Sequence, residues 1–141
     1  MKHTALGLAL ALALSLPALA AKPPKTNFMD HSADKLVDEA SAKAIMDEAV
    51  PAKAWKIYPA SKYVWLSQVE GGITSSGHCV VTARVMVLPR TATVGAVLFR
   101  PQKTATTFDT LAASTSDQCS ALAKTKLKEA TLAVVSSIVK I

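Results

Sequence analysis

The fold is decided by residues 78–89, which read HCVVTARVMVLP from His78 to Pro89. Successive side chains of a β-strand point to opposite faces, so this alternation predicts one strand with a core face and an outer face. The predicted core face carries Cys79, Val81, Ala83, Val85 and Val87, and the outer face carries His78, Val80, Thr82, Arg84 and Met86. Pro89 ends the strand because it cannot donate a ladder hydrogen bond.

A helical periodicity follows in the C-terminal part of the chain. With Ser116 or Asp117 as the N-cap, one apolar stripe runs through Cys119, Ala123, Leu127, Ala130, Val134, Ile138 and Ile141. The β-branched residues of Thr131–Ile141 also fit an edge strand, which is the alternative. We prefer the helix because the stripe continues unbroken.

The strand and the helix each direct one cysteine into the same core. This predicts a disulfide between Cys79 and Cys119, and their separation of 40 residues is unlike a redox C-x-x-C motif. Two separately buried thiols are the alternative.

The remaining elements are predicted from shorter patterns. Residues Lys62–Val69 and Thr93–Arg100 fit strands, and Gln102–Ser116 fits a loop with one turn of helix. A helix is expected over Ala33–Met46, capped by Asp30 or Ser32, and Pro51 blocks its continuation. The predicted class is α+β, with a three-stranded antiparallel sheet, two flanking helices in the order α-β-β-β-α, and one disulfide.

The N-terminal residues have the pattern of a secretory signal peptide. Lys2 precedes an apolar run that is too short for a membrane span of about 20 residues, and Ala18-Leu19-Ala20 resembles a cleavage site. We expect residues 1–20 to be removed, 21–29 to form an extended tail, and 30–141 to form a single domain. After cleavage no segment is long and apolar enough to span a membrane, so we expect a periplasmic or secreted protein.

Charge and location together restrict the partners. Loss of Lys2 leaves 15 Lys and Arg against 10 Asp and Glu, a net charge of +5. A positive field favours anionic envelope components such as lipid headgroups, lipopolysaccharide phosphates or acidic glycans. Export makes nucleic acid a poor candidate.

The sequence shows no convergent catalytic or metal-binding set. His31 is interpreted as part of a helix start, and His78 as a solvated strand-end imidazole without a second ligand at suitable spacing. The acidic pairs 38–39 and 47–48 diverge on a helix, and residues 71–77 fit a hairpin loop better than a phosphate-binding loop. We therefore predict no catalytic residues, no cofactor and no metal.

Two surfaces are candidates for binding. The first places aromatic rings beside lysines and comprises Trp55, Lys56, Tyr58, Lys62, Tyr63 and Trp65, although these rings also suit core positions. The second lies opposite the inward stripe of the last helix and comprises Leu132, Val135 and Val139. Either these residues bind a protein partner or a second copy, or they are covered within the domain more fully than the predicted packing provides.

The leading functional hypothesis is a non-enzymatic binding or accessory protein of the bacterial envelope that recognises a protein or an anionic envelope component. One alternative is a periplasmic inhibitor or immunity protein against a toxin or cell-wall hydrolase. Another is a small hydrolase whose carboxylates are brought together by folding, which sequence spacing does not exclude.

Overall fold

The computed structural model describes residues 25–91 and 100–139 as a mixed α+β fold. Its elements are β1 (Phe28–Asp30), α1 (Glu39–Ala49), α2 (Ala52–Ile57), β2 (Tyr63–Ile73), β3 (Cys79–Pro89), β4 (Lys103–Leu111) and α3 (Ser116–Ile138). The strands of this part of the chain form one sheet in the order β1-β2-β3-β4. The predicted class is confirmed, but the prediction of three strands and two helices is wrong in detail.

The hairpin of β2 and β3 is the centre of the sheet. Its antiparallel register runs from Tyr63 opposite Pro89 to Ile73 opposite Cys79. The predicted core face of β3 is confirmed, since all five of its side chains are fully buried. The predicted loop at residues 71–77 contributes the end of β2 and a tight turn, in which the Thr74 amide donates to the His78 carbonyl oxygen at 2.8 Å.

The strand β4 replaces a predicted loop. Lys103–Leu111 pairs antiparallel with β3 along its whole length, although Gln102–Ser116 was expected to be irregular. Its four threonines are β-branched and suit an edge position whose side chains are half-exposed or exposed. The strand predicted at Thr93–Arg100 lies outside the described residues, except for Arg100, which is not in a strand.

The short strand β1 pairs parallel with β2, and Phe28 lies opposite Trp65. The sequence assigns these residues to a tail and a helix start. The Asp30 carboxylate instead accepts hydrogen bonds from the hydroxyls of Ser32 and the buried Ser67, which holds the strand in place. Three residues are too few to show an alternation, so the sequence pattern does not predict this strand.

The helix predicted at Ala33–Met46 begins later and is followed by a second one. Asp38 caps α1 by accepting from the Ser41 amide at 2.8 Å, so neither Asp30 nor Ser32 is the cap. Leu36 and Val37 are buried, but they lie before the helix. Pro51 separates α1 from α2, as expected of a residue that blocks helix continuation.

The helix α3 continues to Ile138, so the predicted C-terminal helix is confirmed over the described residues and the edge-strand alternative is wrong there. Its cap is Thr115, one residue before the predicted position. Thr115 and Gln118 form a capping box, in which the Gln118 amide and the Thr115 amide are both satisfied by side chains.

The helices pack on the core face of the sheet, where the main buried cluster joins α1, α2 and α3 to the inward residues of β2 and β3. The predicted disulfide is confirmed between Cys79 and Cys119, whose α-carbons are 5.5 Å apart. A second, smaller buried cluster lies on the other face of the sheet and consists of Val64, Leu66, Met86 and Leu88. Within the described residues, no helix is long and apolar enough to cross a membrane.

Candidate functional site

In the structure, the tryptophans of the predicted aromatic and basic surface are separated from its lysines. Trp65 is fully buried and Trp55 nearly so, with their ring centroids 5.7 Å apart in the main core. Tyr58 and Tyr63 are half-buried and meet edge to face at 4.9 Å. The two tryptophans therefore offer no exposed ring face for stacking on a ligand.

The lysines of the same surface are on the outside of the molecule. Lys56 lies in α2 and Lys62 lies in the turn before β2, and both are exposed. No shared aromatic platform with the tryptophans is formed, but the basic part of the predicted surface remains accessible.

The residues of the predicted partner surface on α3 also differ in exposure. Leu132 is 43% exposed, whereas Val135 and Val139 are buried. Burial within the domain therefore applies to Val135 and Val139, and Leu132 remains accessible to a partner. The reason is that α3 packs against both the sheet and the two shorter helices, so a second stripe of this helix is covered within the chain.

Strand pairing brings basic residues from three segments to one end of the sheet. The Arg90 amide donates to the Lys62 carbonyl oxygen at 2.9 Å, and Lys103 pairs with Val87 near the end of β3. Asn27 binds the carbonyl oxygens of Ala60 and Tyr63, which places the segment before β1 at this end too. We call this region the basic end; it comprises Lys25, Lys53, Lys56, Lys62, Arg90, Arg100 and Lys103.

The basic end contains no acidic residue. Residues 49–69 and 84–108 contain no Asp or Glu, and all 10 acidic residues lie in other parts of the described chain. Of the 16 Lys and Arg, Lys2, Lys22 and Lys140 lie outside the described residues, seven lie at the basic end and six lie elsewhere. The described remainder is therefore net negative, and the molecule has a strong charge asymmetry.

Ion pairs are found on other parts of the described surface. Lys43 pairs with Asp47, Lys128 with Glu48 at 2.7 Å, and Lys126 with Asp109 at 3.0 Å and Glu129 at 2.8 Å. None of these ion pairs involves a lysine of the basic end.

Hydrogen bonding in the Lys126 pair shifts both partners towards their charged forms. The hydrogen bond from Lys126 lowers the pKa of Asp109, and those to Glu129 and Asp109 raise the pKa of Lys126. Asp109 also accepts from the Thr110 amide at 2.8 Å. These contacts hold β4 against α3 and stabilise the fold.

Three clefts lie away from the basic end. A cleft of about 460 Å³ lies between the turn at 34–36, the end of β2 and the start of α3, and Cys119 forms part of its wall. A second lies on the outer face of the sheet, and a third lies between α1 and α3. Each is lined by at most one carboxylate, so none of them provides an acid–base pair.

The remaining candidate residues show no convergence. His31 is exposed, and His78 is exposed with its Nδ1 atom 3.1 Å from the Ser76 hydroxyl. Among the described residues, no three His, Cys, Asp or Glu side chains are grouped as metal ligands would be. The basic end was not among the predicted surfaces, although the two segments without Asp or Glu that form most of it are visible in the sequence.

Comparison with known proteins leaves the function open. No protein-family model and no curated protein matches the sequence. Among solved structures, the chain resembles a PelC dodecamer from Paraburkholderia phytofirmans, with 17% identity, 82% of this chain and 90% of that chain covered, and a TM-score of 0.44. It also resembles a candidate lipoprotein from Caulobacter crescentus, with 13% identity, 79% and 83% coverage, and a TM-score of 0.35. Likeness at this level does not identify an activity or a partner.

Proposed function

We propose that this chain is an exported accessory protein of the bacterial envelope whose basic end binds an anionic envelope component. The observation that carries the proposal is the basic end itself: strand pairing brings Lys62, Arg90 and Lys103 to one end of the sheet, and residues 49–69 and 84–108 contain no Asp or Glu. Such a surface attracts polyanions over roughly a Debye length and raises their local concentration.

The proposed compartment is supported by two further features. The predicted signal peptide at residues 1–20 implies export, and the Cys79–Cys119 disulfide is of the kind that persists in oxidising compartments. Envelope surfaces there carry phosphate and carboxylate groups, which match the charge of the basic end.

The other hypotheses have less support. The hydrolase alternative needs two facing carboxylates, and the three clefts contain at most one each. An inhibitor would insert an exposed loop such as residues 71–77 into an enzyme, and this loop is a compact hairpin turn with hydrogen bonds among Thr74, Ser76 and His78. No contact in this turn favours insertion into an enzyme cleft.

The proposal is tested with the chain from residue 21 onwards, mixed with lipopolysaccharide aggregates, phosphatidylglycerol vesicles or neutral phosphatidylcholine vesicles and sedimented. We expect binding to at least one anionic material, weakened about tenfold between 50 and 300 mM salt because salt screens exposed charges. Binding to none of the anionic materials would refute the proposal.

A charge-matched pair of variants locates the site. The double substitution Lys53→Gln and Lys56→Gln removes two charges from the basic end and should weaken binding. Lys35→Gln with Lys124→Gln removes the same charge elsewhere on the surface and should have little effect. Equal loss in both variants would mean that net charge, not the basic end, determines binding.

A further inference from the structure

The helix α2 presents an apolar side chain among the lysines of the basic end. Ala54 and Trp55 point into the core, while Lys53, Lys56 and Ile57 point outwards. Ile57 is 47% exposed, one of the highest values for a large apolar residue among the described residues. Tyr58 follows it directly and is half-buried.

The exposed side chains of the basic end include lysines and Ile57, and the three clefts described above lie elsewhere. Small ligands are usually held in concave pockets. Recognition of a glycan commonly uses exposed aromatic faces, but both tryptophans are inside the core. A cationic region with one projecting aliphatic side chain instead suits an extended anionic plane with an apolar interior.

We infer that the basic end docks on the surface of an anionic phospholipid bilayer and that Ile57 enters its headgroup region, with Tyr58 at the boundary. This inference rests on the proposed function and specifies its ligand. Interfacial binding of this kind combines attraction of Lys and Arg to anionic lipids with burial of a few apolar side chains.

Charge asymmetry also fixes the orientation. The described residues outside the basic end carry ten acidic against six basic side chains, so an anionic surface repels that part of the molecule. The cleft beside Cys119 and the hairpin turn between β2 and β3 then face away from the bilayer. These surfaces stay accessible while the protein is bound to lipid.

The test compares flotation with vesicles containing phosphatidylglycerol and binding to dextran sulfate, a polyanion without an apolar phase. Ile57→Ser should weaken vesicle binding about fivefold, because a partly exposed Ile no longer becomes buried, and should leave dextran sulfate binding unchanged. Lys53→Gln with Lys56→Gln should weaken both. As a matched control, Ile73→Ser removes a 43% exposed Ile at the other end of β2 and should weaken neither.

The outcomes separate the inference from the proposed function. Unchanged vesicle binding by Ile57→Ser overturns the inference. Salt-sensitive binding to lipopolysaccharide without binding to phosphatidylglycerol vesicles also overturns it, while the proposed function stands. Failure to bind every anionic material overturns both.

Discussion

Cys79, the first residue of β3, is joined to Cys119 in the first turn of α3, and their α-carbons are 5.5 Å apart. The Cys79 amide also donates to the Ser114 hydroxyl at 3.1 Å, just before the helix cap. The hairpin and the closing helix are thus fixed to each other at the end of the molecule opposite the basic end. In the unfolded chain, this bond closes a loop across 40 residues that contains the segments of β3 and β4.

The double variant Cys79→Ala and Cys119→Ala should lower the free energy of unfolding by about 2–4 kcal/mol, because the unfolded chain regains the entropy of an open loop. Urea unfolding followed by circular dichroism measures the difference. Reducing agent added to the native sequence should give a similar loss and should leave the stability of the double variant unchanged. A stability that is insensitive to reductant in both proteins would contradict the expectation.

Two adjacent glycines near the end of β2 allow a matched test of backbone constraint. Gly71 has φ +130°, and a Cβ placed there would lie 1.9 Å from the Val80 carbonyl oxygen. Gly72 has φ +144°, but a Cβ there meets nothing within 4 Å. Both substitutions to Ala carry the strain of an unfavourable φ, about 1–3 kcal/mol, and only Gly71→Ala adds a backbone clash.

Gly71→Ala should therefore destabilise the fold by clearly more than Gly72→Ala, as measured by thermal or urea unfolding. The added Cβ would clash with backbone atoms of Val80 and Val81 in β3, so rotation of a side chain does not relieve the clash. Equal stabilities of the two variants would mean that the strands separate at this point without cost.

The link between Lys126 and Asp109 gives a pH-dependent prediction. Because the hydrogen bond from Lys126 lowers the pKa of Asp109, the pair stabilises the fold above the ordinary carboxyl value of 3.8. This contribution is lost as the pH falls through the lowered pKa of the folded protein. At the alkaline end, the raised pKa of Lys126 stabilises the fold below its ordinary value of 10.5, and this is lost as the pH rises through the folded value.

Carboxyl NMR titration of the Lys126→Gln variant should show the pKa of Asp109 moving upwards, towards but not fully to 3.8, since the hydrogen bond from the Thr110 amide remains. The control is Lys128→Gln, which removes the partner of Glu48 and should leave Asp109 unaffected. A pKa of Asp109 that is the same in all three proteins would show that the ion pair does not form in solution.

The elements that the sequence predicted well are those with a long periodic pattern. The alternation in β3 and the stripe in α3 each extend over many residues, and together they predict the disulfide. Both patterns arise from burial against one core, so they report tertiary contacts as well as local structure.

The elements that were missed have no such pattern. In β4 the inward side carries Lys103, Ala105, Thr107 and Asp109. Asp109 pairs with Lys126, and the Thr107 hydroxyl donates to the Lys126 carbonyl oxygen, so α3 supplies polar partners for this strand. A strand that faces a helix through hydrogen bonds shows no apolar alternation. In β1 three residues are held by side-chain contacts with β2, which depend on residues far away in the sequence.

The exposure of the candidate surfaces was predicted only in part, for a related reason. Helical spacing places Leu132, Val135 and Val139 opposite the sheet-facing stripe, but it does not reveal that α1 and α2 cover part of that side. For the basic end, by contrast, the sequence shows the relevant feature, since residues 49–69 and 84–108 contain no Asp or Glu. Only the strand register shows that these two segments meet.

The division of the predicted partner surface on α3 leads to the last prediction. Val135→Ala should lower the free energy of unfolding by about 2 kcal/mol, because it deletes methyl groups from a site that is 3% exposed. Leu132→Ala should change it by no more than about 0.5 kcal/mol, since that side chain is 43% exposed and outside the core cluster. Urea unfolding at low protein concentration measures both.

Sedimentation at increasing concentration then tests the predicted homodimer. If Leu132 lies in such an interface, Leu132→Glu shifts the protein towards the monomer. An unchanged sedimentation profile would show that Leu132 takes no part in self-association.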